Sequence, residues 1–433
     1  MSGLKGRNLH LTLGLVALLL IPVISAQAAG VNYEATAAAV DINRIADTIR
    51  TFEGFGSRAV GYPGNAKSAD YILSQFKALG METMVQDYDL PAAVDNGSVL
   101  TLGNKQYELS ALWPNHARTC QVPAEGLAGP VIYVGHGGLS DFNGKNTNGA
   151  IVLMDFNTQQ NWLNAPLLNA AAIIFIEPPT MTRGEAEMKF LRAPVNVPRF
   201  YIRGDQASGV LATVAENDVK GTIRSREPIS WRNTINRNII GIMPGRDPKL
   251  KEEAIILEAY YDSVSIVPRI APGAEGATGI ATMLELARLF KANPPARTVI
   301  FLACSGHYQA LSGAREFEAL WGREPRKAKN RLDKLNELNK QLVELQGLKA
   351  KLTKDIATLD AQRKGLSEED KAVFKNLINV GQLELSPEAA AVRLERLDRD
   401  IARKQNDIKI WQRLDEIGKI QLFMGLDLST RSG

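Results

Sequence analysis

The stretch EEAIILEAYYDSVS, Glu252–Ser265, decides the fold of this chain because it reads as a buried strand that ends in polar residues. A glycine-rich turn PGAEGATG (272–279), an apolar helix GIATMLELARLFKA (279–292) and a second apolar strand RTVIFLACSG (297–306) follow it. Strand, turn, helix and strand in this order are typical of parallel strands with helices on their faces. We therefore expect an α/β fold with a mainly parallel central sheet and flanking helices.

The polar residues after these strands are the candidate site residues. Asp262 follows the first strand, His307 follows the second, and Glu275 lies in the turn between them. Parallel α/β sheets bind ligands outside the carboxyl ends of their strands, so we expect these side chains to gather at one edge. Each also has a simpler interpretation, because carboxylates form turns and helix caps and a lone histidine is usually structural.

Composition bounds the class of protein. The chain has 433 residues, of which 45% are hydrophobic and 23% charged, as in a globular protein of two or three domains. Its net charge of +4 is small for this length. No arginine-rich stripe or RNA-binding signature accompanies that charge, so no nucleic-acid partner is predicted.

The first residues read as a secretory signal. Lys5 and Arg7 precede an apolar stretch from Leu11 to Ile24, and Ala26-Gln27-Ala28 matches a small-residue cleavage site. We predict a signal peptide over residues 1–28 and an exported protein, periplasmic or extracellular. The alternative is an uncleaved anchor, and membrane association is expected only through such an anchor or through a partner.

Two cysteines, Cys120 and Cys304, are far apart in the sequence, each near a strand-like segment. An exported protein can form disulfides. The spacing favours two separate buried thiols, with one disulfide as the alternative.

Residues 119–225 form a block that reads as inserted. GPVIYVGHGG, GAIVLMDF and AAAIIFIEPP are short apolar strands between turns, and DFNGKNTNG (Asp141–Gly149) is a dense turn cluster. Without this block, residues 29–118 and 226–325 read as one α/β domain. We expect a β-rich inserted domain within that α/β domain.

Residues 326–418 have the pattern of a long helical hairpin. Leucine and isoleucine recur every three or four residues between charged ones, at Leu332, Leu335, Leu338, Leu342, Leu345, Leu348, Leu352, Ile356 and Leu359. Ser386-Pro387 then begins a second long helix. Two antiparallel arms could satisfy each other, or their outward residues could engage a protein partner. Residues 419–433 return to a strand-like pattern that belongs with the α/β domain.

Several segments together resemble the co-catalytic zinc exopeptidases, a family that includes secreted aminopeptidases, glutamate carboxypeptidases, glutaminyl cyclases and the transferrin-receptor ectodomain. The segments are FGSRAVGYPGNAKSADYILSQFKALG, IILEAYYDSV, PGAEGATGIATMLELAR and RTVIFLACSGHYQALSGAREF. The block 119–225 resembles the protease-associated (PA) domain that several members carry. The resemblance implies that the chain is incomplete after Gly433, because the family's last strands and its last histidine ligand would lie beyond it.

The resemblance also shows that most ligand positions of the family are replaced. The family's His-x-Asp is Tyr260-Tyr261-Asp262 here, which keeps the orienting Asp262 but places tyrosine at the ligand position. Its bridging aspartate matches Glu275, and its paired glutamates match His307 and Tyr308. A further aspartate ligand matches Asp427. A tyrosine phenol binds metal well only after losing its proton, so Tyr260 and Tyr308 are expected to pack or donate hydrogen bonds rather than ligate.

The resemblance implies an exported zinc exopeptidase homologue of the aminopeptidase type, which hydrolyses peptide or protein substrates with an altered metal centre. His307 and Asp262 are its expected catalytic residues, and Glu275 and Asp427 its expected metal ligands. One zinc ion is expected more readily than two, and an absence of metal is the other outcome. The alternative is a catalytically inactive member that binds a protein or peptide. His116 and His136 are expected to be structural.

Overall fold

The computed structural model describes residues 33–112, 120, 122–190, 195–216, 219–227, 230–265, 267, 275–321, 328–364, 367 and 387–426. The predicted signal segment, His116 and Asp427 therefore lie outside the described residues. The described residues up to Val40, which include helix α1 (Tyr33–Ala38), belong to one compact unit, and the described residues from Asp41 onward belong to a second. All that follows concerns the second unit.

The helices of this unit are α2 (Ile42–Gly54), α3 (Pro63–Ala78), α4 (Asn164–Leu167), α5 (Arg183–Phe190), α6 (Gly204–Glu216), α7 (Glu275–Ala292), α8 (Ser312–Trp321), α9 (Ala328–Lys364) and α10 (Pro387–Ile417). Its strands are β1 (Glu82–Val94), β2 (Ser98–Leu102), β3 (Lys105–Ala111), β4 (Leu127–Tyr133), β5 (Ile151–Asp155), β6 (Ala172–Ile176), β7 (Arg199–Ile202), β8 (Lys220–Ser225), β9 (Ser230–Met243), β10 (Glu253–Tyr260), β11 (Thr298–Cys304) and β12 (Lys419–Gly425).

The central sheet has five strands in the order β1-β9-β11-β10-β12. Strand β10 pairs in parallel with both β11 and β12, whereas β9 pairs antiparallel with both β11 and β1. The sheet is therefore mixed, and the prediction of a mainly parallel sheet is wrong. The cause is the long antiparallel ribbon of β1 and β9, which runs from Glu82 opposite Ile242 to Val94 opposite Ser230.

Helices cover both faces of this sheet. On one face, Phe52 of α2, Phe76 of α3 and Met283 of α7 share a buried cluster with Phe301 of β11. On the other face, Phe317 of α8, Leu338 of α9 and Trp411 of α10 share a cluster with Ile300. A strand that is buried on both faces reads as an unbroken apolar run, which is how β10 and β11 appear in the sequence.

Seven strands close into a barrel in the order β2-β3-β7-β6-β5-β4-β8. The barrel takes in Ser98–Ala111, which the sequence pattern assigns to the α/β domain, because β2 pairs with β8 and β3 pairs with β7. The predicted inserted block 119–225 therefore holds only part of the barrel. Phe156 belongs to the buried cluster of this domain and makes edge-to-face contacts with Phe175 and Tyr201.

The two long helices α9 and α10 lie side by side. Lys349 forms an ion pair with Asp398, and the earlier residue Leu338 shares a buried cluster with the later residue Trp411. The later residue of α9, Lys349, thus lies near the earlier residue of α10, Asp398, so the two helices run in opposite directions. Most of the connection between them, residues 368–386, lies outside the described residues, so the hairpin itself remains a prediction.

Helix α10 also covers the β1 edge of the central sheet. Arg403 forms an ion pair with Asp89 at 2.8 Å, and Arg413 pairs with Glu82 at 2.8 Å. Between them, the Asn406 side chain donates to the Val85 carbonyl at 2.6 Å. An open strand edge is a template for aggregation, and a helix laid over it removes that hazard.

Substitution of Leu338 tests the packing of α9 on the central sheet. Leu338→Ala should lower the free energy of unfolding by about 2–4 kcal/mol, because the side chain is 2% exposed and its loss leaves a cavity. The matched control Val343→Ala, on the same helix but 65% exposed, should change it by about 0.5 kcal/mol or less. Urea denaturation measures both. Equal effects of the two substitutions would contradict the packing.

Cys120 and Cys304 are free and buried, so the prediction of two separate thiols is confirmed. Among the described residues, no helix is long and apolar enough to cross a bilayer.

Candidate active site

The ends of β10 and β11 bring Asp262 and His307 together. Tyr260 and Cys304 are the last parallel partners of the two strands, and the Tyr261 N–H still donates to the Cys304 carbonyl at 2.9 Å. Just beyond, the His307 N–H donates to Oδ1 of Asp262 at 3.2 Å. The two residues predicted to be catalytic are thus neighbours at the carboxyl edge of the sheet, and their roles remain predictions.

Asp262 is a fully buried carboxyl group. Burial raises its pKa to about 7, against the opposing effects of the His307 N–H, other backbone N–H groups and the Arg58 guanidinium. Its Oδ2 atom is buried with no hydrogen-bond partner in the described part of the chain. A carboxyl group in this setting is poised to exchange a proton near neutral pH, which is a common property of functional sites.

Three aromatic rings pack against each other beside Asp262, and we call Tyr260, His307 and Tyr308 the ring cluster. Tyr260 and His307 stack with ring centroids 3.9 Å apart and an interplanar angle of 23°. Tyr308 meets both rings edge-on, at 5.8 Å from Tyr260 and 5.0 Å from His307. The three rings are therefore in mutual contact, and Tyr260 is buried.

A strained turn carries His307 and Tyr308. Gly306 has a φ of 72°, and Ala310 and Leu311, which are not glycine, both have φ values of 57°. A left-handed conformation costs about 1–3 kcal/mol for each residue other than glycine, here Ala310 and Leu311, and persists only where the surrounding structure enforces it. Here the Leu311 N–H donates to the His307 carbonyl at 3.1 Å, and the Ser312 N–H donates to the Gly306 carbonyl at 2.9 Å. These bonds close the turn and fix the ring cluster in place.

A buried polar network supports the β11 end, and sequence reasoning did not identify it. The Asn65 side chain donates to Oγ of Ser305 at 2.9 Å, and the Tyr88 hydroxyl donates to the Ser305 carbonyl at 2.9 Å. Ser305 in turn contacts Oδ1 of Asn236 at 3.3 Å. One available signal was the polar pair Asn236 and Asn238, which immediately precedes the apolar end of β9, residues 239–243.

Arg58 supports the β10 end and was likewise missed. It lies in the loop between α2 and α3 and is fully buried. Its Nε donates to the Tyr261 carbonyl at 3.1 Å, and its backbone N–H donates to Oγ of Ser263 at 3.0 Å. These contacts lie on both sides of Asp262. In the sequence, Arg58 stands in a turn-rich loop where an exposed cation is the ordinary expectation.

The described side chains do not supply the ligand set of a zinc pair. Described residues include no group of three or more His, Cys, Asp or Glu side chains that could hold a metal. Tyr260, which the family resemblance aligns with a histidine ligand, stacks its ring on His307. Glu275 begins α7, but its side chain and Asp427 lie outside the description, so their predicted ligand roles remain predictions.

His136, expected to be structural, lies in the loop that follows strand β4 of the barrel. Its Nδ1 is 3.2 Å from Oδ2 of Asp155, and its side chain is 75% exposed. This exposure makes it a useful control for substitutions at His307.

The chain matches known proteins in the region that carries the site. Residues 238–381 match the model of Peptidase family M28. The aminopeptidase YwaD of Bacillus subtilis is 23% identical over 273 residues, which cover 61% of this chain and 54% of that protein. The match thus spans about half the length of that relative.

Two solved structures overlap with the chain at lower similarity. The zinc aminopeptidase BSAP of Bacillus subtilis is 22% identical and has a TM-score of 0.44, with 64% of each chain covered. A peptidase M28 precursor of Shewanella amazonensis is 16% identical and has a TM-score of 0.44, with 70% of each chain covered. Residues 238–381, which include Asp262 and His307, thus match a peptidase family, and this match agrees with the resemblance of the sequence to zinc exopeptidases.

Proposed function

We propose that this protein is an exported peptidase of the aminopeptidase type with an altered centre at the ends of β10 and β11. The observation that carries the proposal is the match of residues 238–381 to the M28 peptidases, because that segment contains both strand ends. The aminopeptidase relative supports a substrate with a free amino terminus. The predicted signal segment supports export.

Asp262 and His307 would carry the chemistry. Peptide hydrolysis adds water across the C–N bond: a base takes one proton from water, the oxygen bonds to the carbonyl carbon, and the amine leaves with a proton. His307 would act as the base where the family uses a glutamate, and would then pass the proton to the leaving amine. Asp262 would orient the turn through its bond to the His307 N–H.

Zinc is the cofactor that the zinc aminopeptidase relative suggests, and no step above depends on it. The ring cluster stands where ligands of a zinc pair would be, so a single ion fits the proposal better than two. Glu275 and Asp427 would be its ligands.

The finer architecture belongs to the same proposal. The barrel would be a PA-like domain, and α9 with α10 would form a hairpin whose outer face can bind a protein partner.

His307→Ala tests this function in the full-length protein, including any residues that follow Gly433 in its gene. Turnover of an amino-acid p-nitroanilide should fall by about 10²–10⁴, the usual contribution of a general acid–base group. The control His136→Ala should leave turnover unchanged, because that side chain lies exposed on the barrel. Bound zinc, measured by atomic emission on the same samples, should be at most one ion per chain.

Two outcomes would contradict the proposal. Equal turnover in wild type and His307→Ala would remove His307 from the chemistry. Neither turnover nor bound zinc in the full-length protein would overturn the catalytic function and favour a non-catalytic member that binds a peptide or protein.

A further inference from the structure

We infer that Arg58 is a positioning residue of this site, which holds the Tyr261–Ser263 strand end so that Asp262 meets His307. The inference rests on the proposed function for its kinetic consequences. Its geometric basis is independent of that function, because it consists of contacts among buried groups.

Arg58 binds the chain on both sides of Asp262. Its Nε donates to the carbonyl of Tyr261 at 3.1 Å, and its backbone N–H donates to the hydroxyl of Ser263 at 3.0 Å. The Ser263 N–H returns a hydrogen bond to the Arg58 carbonyl at 3.3 Å. Two of these hydrogen bonds fix the peptide units that flank Asp262, and the third holds the Ser263 side chain. The Cα–Cβ bond of Asp262 is thereby held in one direction.

The same side chain anchors this strand end to two helices. Nη1 of Arg58 is 3.4 Å from the Phe52 carbonyl near the end of α2, and its guanidinium carbon is 5.7 Å from the Phe52 ring centroid. Nη2 lies against the start of α7, where a Cβ atom at Gly276 would be only 3.1 Å away. Arg58 thus joins α2, the β10 end and α7.

Arg58 is also coupled to the β11 end through Asn65. The Asn65 amide donates both to the Arg58 carbonyl at 3.0 Å and to Oγ of Ser305 at 2.9 Å. Ser305 lies two residues before His307. One buried chain of bonds therefore joins the strand end of Asp262 to the strand end of His307, in parallel with their direct contact.

Charge explains why the residue is an arginine. The guanidinium of Arg58 and the carboxylate of Asp262 are both fully buried, and their attraction offsets part of the burial that otherwise disfavours each charge. A guanidinium is planar and donates in several directions at once, so it can hold the Tyr261 and Phe52 carbonyls together. Lysine would keep the charge but could not donate to both carbonyls in this fixed geometry.

The test compares Arg58→Met and Arg58→Lys with Arg199→Met. Arg199 is a second fully buried arginine, but it lies in the barrel and binds the Val195 carbonyl. We expect kcat to fall by about 10–100-fold in Arg58→Met with KM changed less than two-fold, as for the loss of an interaction made only in the transition state. Arg58→Lys should recover part of kcat, and Arg199→Met should leave both constants unchanged. Equal kcat losses in Arg58→Met and Arg199→Met would overturn the inference, because they would show a general cost of losing a buried arginine.

A second readout does not require activity. The carboxyl carbons of aspartate are ¹³C-labelled in chelator-treated protein, and the Asp262 signal is identified from its absence in Asp262→Asn. Loss of the guanidinium should move the Asp262 titration to higher pH, and Arg199→Met should leave it in place. An unmoved titration in Arg58→Met would overturn the inference. A wild type without turnover but with the shifted titration would reject the proposed function alone.

Arg58→Met can fail to fold, and Ser263→Ala then takes its place. This substitution removes only the hydroxyl that accepts the Arg58 N–H. A fall in kcat of at least three-fold without a change in KM would support the positioning role. An unchanged kcat would count against it.

Discussion

The wild-type protein should lose stability as the pH rises from about 4 to about 7, and the Asp262→Asn variant should lose less. Burial raises the pKa of Asp262 to about 7, whereas an unfolded aspartate titrates near 3.9. Between these values the native state binds the extra proton, so the free energy of unfolding falls as the pH rises and levels off above the folded pKa. A shift of about 3 units corresponds to at most about 4 kcal/mol.

Urea denaturation at pH 4.5 and pH 8, with a chelator present, measures the difference. Asp95 and Asp407 also have pKa values raised by burial, so the wild type alone would report several groups at once. Subtracting the pH dependence of Asp262→Asn isolates Asp262. As a control, Asp398→Asn removes an exposed carboxylate and should preserve the wild-type pH dependence. Identical pH dependence in wild type and Asp262→Asn would mean that Asp262 is ionised in the native state throughout this range.

Gly313→Ala should destabilise the protein by about 2–3 kcal/mol, in the range found for overpacking a core. A Cβ atom at Gly313 would lie 2.4 Å from the Ser305 carbonyl oxygen, 2.6 Å from Oδ1 of Asn238 and 2.8 Å from the Tyr88 hydroxyl. The nearest of these is backbone at the end of β11, so the strand end that precedes His307 must move. Turnover should therefore fall together with stability.

Gly347→Ala is the matched control, because it makes the same chemical change inside a helix. No atom lies within 4 Å of a Cβ added there. Alanine is favoured over glycine in a helix by about 0.5–1 kcal/mol, so this variant should be stabilised. Thermal or urea unfolding distinguishes the two. Stabilisation by both substitutions would show that α8 does not approach Ser305 as closely as described.

The sequence predicts the α/β centre because β10, α7 and β11 each have the right length and apolar pattern. It also predicts that Asp262 and His307 meet, because residues that follow parallel neighbouring strands lie at one edge. Strand direction is a different matter. The alternation of apolar residues in β1 and β9 is the same for parallel and antiparallel pairing, so the antiparallel ribbon could not be recognised from the pattern.

The buried polar residues that support the site could not be predicted either, because their contacts are long-range. Arg58, Asn65 and Ser305 are polar residues whose burial depends on contacts with partners 203 to 240 positions away. No local pattern encodes such contacts. The family resemblance predicts that active residues are replaced at Tyr260, His307 and Tyr308, but only the structure shows that these three rings contact one another.

The two buried thiols make it possible to measure the opening of the central sheet and of the barrel separately. Cys304 lies in β11 at the centre of the sheet, and Cys120 lies in the barrel, where its sulfur contacts the Arg199 backbone. Burial raises the pKa of Cys120 to about 12 and that of Cys304 well above its usual value. Alkylation therefore requires the surrounding structure to open, so labelling rates of the two single-cysteine proteins report how often the sheet and the barrel each open.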